Sequence, residues 1–184
     1  MISFFGKKKI SAEKTASFFV NTLLDAVEEG FPDVAGFVRD SPEFVKVPVI
    51  SDEEYGKFLM IVIVGNFNYL HEHFQDGEAE LIIGHCVEQF APVFDLSPTA
   101  FQTKINEYKK FMAHINAPSK NNLYAMSRAV FYKYELNQYQ DEYFMRENAP
   151  NPIFKKNLDD VMRNFVWDWS AFTEKYKVQI SGLL

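Results

Sequence analysis

The sequence contains a single cysteine and lacks the short motifs that mark the common catalytic sites. Because Cys86 is the one cysteine, no disulfide can form within the chain, which fits a reducing compartment. The 8 glycines form neither a Gly-x-Gly-x-x-Gly loop nor a Gly-Lys-Ser/Thr phosphate loop. A Gly-x-Ser-x-Gly nucleophile elbow and a His-Glu-x-x-His zinc motif are also absent. These absences argue against an enzyme without excluding one, since catalytic side chains can converge from distant segments.

Long hydrophobic runs are missing as well. The longest apolar run covers residues 58–64, whereas a membrane-spanning helix needs about 20 residues. The apolar start at residues 1–5 is too short for a signal-peptide core, and the lysines at 7–9 follow it rather than precede it. We therefore expect a soluble, cytoplasmic protein with no transmembrane segment, and peripheral membrane contact is disfavoured.

Positive charge is scarce in the middle of the chain. The net charge is −6, and residues 51–100 carry one basic side chain against nine acidic ones, a balance of −8. Bacterial one-component repressors need a basic DNA-reading helix near the N-terminus, but residues 31–54 hold only Arg39 and Lys46 against six acidic side chains. Because such segments repel phosphate, we expect no nucleic-acid partner.

The apolar residues that are present recur at the spacing of a helix. Near the C-terminus they follow one another at steps of three and four, which places them on one side of a helix. This C-terminal stripe consists of Phe154, Leu158, Val161, Phe165, Trp169, Phe172 and Tyr176. The sequence predicts an all-α protein: a compact single-domain bundle of about six to seven helices with short connections, over residues 11–184. Residues 1–10 are expected to form an N-terminal arm.

Local signals predict where several of these helices begin and end. Ser11 is a good N-cap and Gly30 a good C-terminal stop for the first helix, and Ser97 followed by proline opens another. A further helix with two apolar sides is expected from about 120 to 148, and one of those sides could face a neighbouring subunit.

Residues 44–64 are open to two interpretations. Alternating apolar residues at 44–50 and the β-branched run at 58–64 would suit a β-hairpin. Pro48 and a capping box at 51–54 instead favour a loop followed by a central helix over about 52–74. We favour the loop and helix.

Three of the 4 histidines lie in the acidic middle of the chain and form a weak candidate metal site. His71, His73 and His85, with Glu88, offer imidazole and carboxylate ligands of the kind that suit zinc, iron or manganese. However, the chain has no Glu-x-x-His pair of the kind found in helical di-iron proteins. His71 and His73 also lie about 200° apart around a helix. We interpret these side chains as solvated helix ends and expect no metal, no other cofactor and no catalytic residue. Cys86, on an apolar stripe, is interpreted as core packing.

Aromatic residues supply the candidate partner-binding positions. Trp167 lies opposite the C-terminal stripe on an otherwise polar face, where an exposed tryptophan could anchor a partner. Phe4 and Phe5 precede three lysines and could contact an acidic partner. The competing interpretations are that Trp167 packs against a neighbouring helix and that the arm packs on the protein's own acidic helices.

Three functions are compatible with these features. The preferred hypothesis is a non-catalytic protein-interaction or regulatory module, whose partner is another protein or a second copy of itself. The second is a binder or sensor of a small apolar ligand, with an aromatic pocket and polar groups such as Asn66 and Asn68. The third is a metal-dependent enzyme that uses the histidines and carboxylates of the acidic segment.

Overall fold

The computed structural model describes residues 6–179, apart from the side chain of Asp76, and these residues are mainly helical. The α-helices are α1 (Ala12–Asp40), α2 (Gly56–His73), α3 (Asp76–Phe90), α4 (Pro98–Asn116), α5 (Asn122–Lys133), α6 (Glu142–Glu147), α7 (Pro152–Met162) and α8 (Trp169–Lys175). Short 3-10 turns follow α3, α5 and α7. The structure confirms the prediction of a compact all-α fold with short connections.

Two short strands join the ends of the described chain. β1 (Lys8–Ser11) and β2 (Tyr176–Gln179) pair in parallel, with Ile10 opposite Val178. Both of these apolar side chains are buried against the bundle. Residues 8–10 of the predicted N-terminal arm therefore pair with a strand from the other end of the chain. Such a pairing joins positions too far apart in sequence for a local pattern to reveal.

Helix α2 is the centre of the bundle because its middle is apolar on every side. Residues 58–64 are at most 1 % exposed, and α2 packs on α1, α3, α4, α5 and α8. The interpretation of 44–64 as a loop followed by a central helix is confirmed, and the β-hairpin is wrong. Among the described residues, no helix combines the length and the apolar character needed to cross a bilayer.

The start of α2 is capped by a side chain from a distant helix. Residues 51–54 form a turn that ends before the helix, so the predicted capping box does not open α2. Instead, the hydroxyl of Tyr134 accepts a hydrogen bond from the Phe58 N–H at 3.1 Å and donates one to the Glu54 carbonyl at 2.6 Å. Tyr134 therefore satisfies one of the N–H groups that a helix start leaves without a partner.

Helix α1 continues well past the predicted stop at Gly30, and that prediction is wrong. Pro32 lies inside the helix, yet Phe31, Val34 and other residues of the same apolar face are buried to the end of α1. Burial of this face outweighs the local helix-breaking signals. Gly30 has a packing role instead, since a Cβ at this position would lie 2.9 Å from Cζ of Phe165.

The last two predicted helices are both interrupted. The helix expected over 120–148 ends at Lys133, followed by Glu135 with a left-handed φ of 54°. The helix expected around the C-terminal stripe divides into α7 and α8, separated by a 3-10 turn and by residues 166–168. All seven stripe residues nevertheless lie in the core or pack against it. The spacing of the C-terminal stripe thus predicted the burial of its residues correctly, but it wrongly predicted one continuous helix.

Asn66 stabilises the break between α7 and α8 from the opposite side of the core. This side chain is fully buried on α2. Its Nδ2 donates to the Phe165 carbonyl at 2.8 Å, and its Oδ1 accepts from the Trp167 N–H at 2.7 Å. One amide thus satisfies two backbone groups that a continuous helix would have paired.

Candidate functional site

The break between α7 and α8 opens a groove that contains both tryptophans of the chain, and we call it the tryptophan groove. Its volume is about 480 Å³, within the usual range of ligand pockets. One wall is the C-terminal half of α2 and the other is the segment 163–170. Its lining includes Tyr69, Glu72, His73, Arg163, Trp167, Asp168, Trp169 and Ser170.

The two indole rings are held by aromatic contacts on the core side of the groove. Trp167 is half-buried and meets Phe19 edge-on at 5.8 Å between ring centroids. Trp169 is 1 % exposed and packs on Phe19 at 5.1 Å and on Phe74 at 5.4 Å. The two indoles lie 5.8 Å apart. Trp167 is therefore packed more closely than the sequence suggested, and its role in partner binding remains a prediction.

Both indole N–H groups are buried and have no hydrogen-bond partner among the groups that the structure describes. A buried tryptophan usually finds an acceptor for this group, and a buried donor without one costs about 1–3 kcal/mol. Such groups call for an explanation, and a ligand or partner that supplies an acceptor is one. Because both residues line the tryptophan groove, this groove is the strongest candidate site in the described structure.

The charges that line the groove are mixed. Glu72 and Asp168 are opposed by Arg163, which also pairs with Asp160 outside the groove. Asp168 caps α8 by accepting a hydrogen bond from the Ala171 N–H at 2.9 Å. Burial raises the pKa of Tyr69 more than its hydrogen bond with Asn122 lowers it. The phenol therefore stays neutral near pH 7 and retains a proton to donate.

The groove does not assemble a nucleophile with its base. Ser170, His73 and Asp168 all line it, and this residue combination can form a catalytic triad. In the part of the chain that the structure describes, no hydrogen bond joins any two of these side chains. Cys86 is fully buried elsewhere, in α3, and burial raises the pKa of its thiol.

The candidate metal ligands are not brought together. His71 lies 3.7 Å from Glu80, and His85 lies 3.5 Å from Glu88, as two separate pairs. His73 lines the tryptophan groove instead. Among the side chains that the structure describes, no group of three or more His, Cys, Asp or Glu is placed to hold a metal ion.

The other sequence candidates have different outcomes. Phe4 and Phe5 lie outside the described residues. The side chain of Asn66 is hydrogen-bonded to backbone groups at 165 and 167, and it does not serve as the polar group of a pocket. Asn68 donates to Oδ1 of Asn122 at 3.0 Å and lines a second cavity, next to the groove.

Sequence reasoning identified Trp167 and His73 but missed Tyr69 and Arg163 as groove residues. These side chains share a site only because the chain breaks after α7, and no local signal marked that break. A comparison of the chain with known protein families, curated proteins and solved structures finds no match.

Proposed function

We propose that this protein is a non-catalytic interaction module whose tryptophan groove receives an apolar segment of a partner protein. The supporting observation is the pair of buried indole N–H groups without acceptors, Trp167 and Trp169. Tyr69 and Arg163 add further donors to the same groove. A groove with this surplus of donors favours a ligand with several acceptors, and the carbonyls of an extended peptide provide them.

The charge balance of the groove favours a neutral segment over an anion. Its carboxylates, Glu72 and Asp168, outnumber its one guanidinium, Arg163, so a phosphate or a free carboxylate would be repelled. Backbone carbonyls accept hydrogen bonds without carrying a net charge. Tryptophan, tyrosine and arginine are also the side chains most enriched at the energetic centres of protein interfaces. The partner segment is therefore expected to carry apolar side chains and no acidic ones.

A binder of a small apolar ligand is the second candidate function. The groove volume of about 480 Å³ would accommodate a molecule of drug size. The same donors would then bind a neutral ketone, ester or amide oxygen on that molecule.

Site-specific crosslinking tests the first proposal directly. A photoreactive amino acid replaces Ser170, which is exposed and lines the groove, and a matched control replaces Thr103, which is exposed on α4. We expect a protein to crosslink at 170 and not at 103, through one apolar segment that mass spectrometry identifies. A synthetic peptide of that segment should shift the tryptophan emission, because Trp167 and Trp169 are the only tryptophans in the chain.

The Arg163→Ala variant adds a second test of the groove. It should weaken binding of the peptide by about tenfold, the loss expected for one hydrogen bond to a charged group. Equal crosslinking at 103 and 170, or a peptide that leaves the emission unchanged, would contradict the proposal. A small molecule that copurifies and shifts the emission would favour the second candidate.

A further inference from the structure

A second cavity lies beside the turn between α4 and α5, and we call it the amide pocket. Its volume is about 400 Å³, and Glu72 lines both this pocket and the tryptophan groove. Its polar lining comes from Asn68, Glu72, Lys109, Asn116, Ser119, Lys120 and Asn122. These residues lie on three helices and the turn between α4 and α5.

Asn116, which lines this pocket, carries a buried acceptor without a partner. The residue is 3 % exposed, and its Nδ2 donates to the carbonyls of Ser119 at 3.2 Å and Asn121 at 2.9 Å. Because both acceptors are backbone oxygens, the orientation of the amide is fixed and Oδ1 is the remaining atom. Oδ1 has no hydrogen-bond partner within the described part of the molecule. A group that supplied a donor here would satisfy it.

The charges around Asn116 also lack internal partners. No ion pair within 4.0 Å joins Glu72, Lys109 or Lys120 to another side chain in the described part of the chain. The pocket therefore offers two ammonium groups, one carboxylate and one amide oxygen. A ligand that carries both a carboxylate and an ammonium group complements this set. The lysines would bind its carboxylate, whereas Glu72 and the Asn116 oxygen would accept from its ammonium group.

The rest of the lining is apolar. Met112, Ala113 and Ala125 complete the pocket and leave room for a short aliphatic side chain. We propose that the amide pocket binds a free α-amino acid with a small aliphatic side chain. A phosphate fits less well, since Glu72 would repel it and it would offer no cation to the carboxylate. The proposal does not rest on the function proposed for the tryptophan groove, although Glu72 lines both cavities.

Calorimetry with matched probes tests the site on the full chain. The probes are L-alanine and L-valine, with propionate as a carboxylate alone and ethylamine as an ammonium group alone. We expect one of the amino acids to saturate the protein with a Kd below about 1 mM, the weak end of ordinary metabolite affinities. Each half-ligand should bind at least about tenfold more weakly, because it forgoes one set of charged hydrogen bonds. The side-chain NH₂ resonances of Asn116 should shift during the same titration.

Variants at the lysines separate this site from the tryptophan groove. Lys109→Gln and Lys120→Gln should each weaken amino-acid binding by about tenfold. Lys110→Gln is the matched control, since Lys110 is exposed, adjacent in α4 and outside the pocket lining. Both lysines also lie outside the lining of the tryptophan groove, so their replacement leaves peptide binding there unchanged.

Three results would overturn the proposal. The first is no saturable binding of either amino acid up to about 10 mM, tenfold above the expected limit. The second is equal binding of propionate, which would indicate a simple anion site. The third is the same affinity in Lys109→Gln, Lys120→Gln and Lys110→Gln.

Discussion

Replacement of Asn66 by alanine removes the side chain that stabilises the break between α7 and α8. The Phe165 carbonyl and the Trp167 N–H, bonded at 2.8 and 2.7 Å, would both lose their partner in a buried environment. Each such group costs about 1–3 kcal/mol, so we expect the free energy of unfolding to fall by about 3 kcal/mol. For a chain of this length, that loss lowers Tm by about 6–12 °C.

Urea unfolding, followed by circular dichroism and by tryptophan emission, measures this loss. Asn68→Ala is the matched control because Asn68 is the same residue type on the same helix, with a side-chain bond to Asn122 at 3.0 Å. That partly buried bond is worth about 1 kcal/mol. The Asn66 variant should also shift the tryptophan emission of the native state, since the backbone N–H of Trp167 donates a hydrogen bond to the Asn66 side chain. Equal losses in the two variants, with unchanged emission, would refute the structural role assigned to Asn66.

Three further predictions concern the centre of the bundle. Tyr134→Phe leaves the buried Phe58 N–H at the start of α2 without its 3.1 Å partner, and should cost about 1–3 kcal/mol in urea unfolding. A loss below 0.5 kcal/mol, roughly the range of neutral surface changes, would contradict the capping role. Gly65→Ala places a Cβ 2.4 Å from Sδ of Met126 and should cost about 1–3 kcal/mol. In the double variant with Met126→Ala, the loss of unfolding free energy should be smaller than the sum of the losses in the two single variants. Strict additivity of these losses would show that the two residues do not clash. Burial raises the pKa values of Cys86 and Tyr134 above their ordinary 9.0 and 10.0, so the folded state keeps both groups protonated. Their contribution to the free energy of unfolding is complete below these ordinary pKa values. It is lost as the pH rises, because only the unfolded chain releases the protons. The urea midpoint should therefore decrease as the pH is raised from 8.5 to 11, roughly across those ordinary values. The decrease should be less steep in Cys86→Ala.

The sequence was most informative where burial follows a regular spacing. The C-terminal stripe lies in or against the core, and the apolar middle of α2 is central, as its lack of a polar side predicts. The ends of helices were harder to predict, because contacts with residues far away in the sequence determine where they lie. The apolar face of α1 continues past Gly30 and Pro32, and a tyrosine 76 residues away caps α2. Neither effect leaves a signal within one turn of the helix end.

The tryptophan groove illustrates the same limit at a candidate site. Trp167 and His73 were identified one at a time, but nothing in the sequence indicated that they line one cavity. Tyr69 is a neighbour of the apolar run in α2, and Arg163 has the pattern of an ordinary surface residue. Only the path of the chain after Met162 brings these side chains together. The amide pocket depends similarly on the turn between α4 and α5.

The break after α7 is what makes the two tryptophans a shared site. In a continuous helix, Trp167 and Trp169 would point about 200° apart, one into the core and the other into solvent. In the folded chain the centroids of their rings lie 5.8 Å apart. The backbone N–H of Trp167 donates a hydrogen bond to the Asn66 side chain. The geometry of the proposed binding site therefore depends on an amide that lies in the core rather than in the groove. We expect Asn66→Ala, below its own melting temperature, to weaken peptide binding at the groove more than Asn68→Ala does.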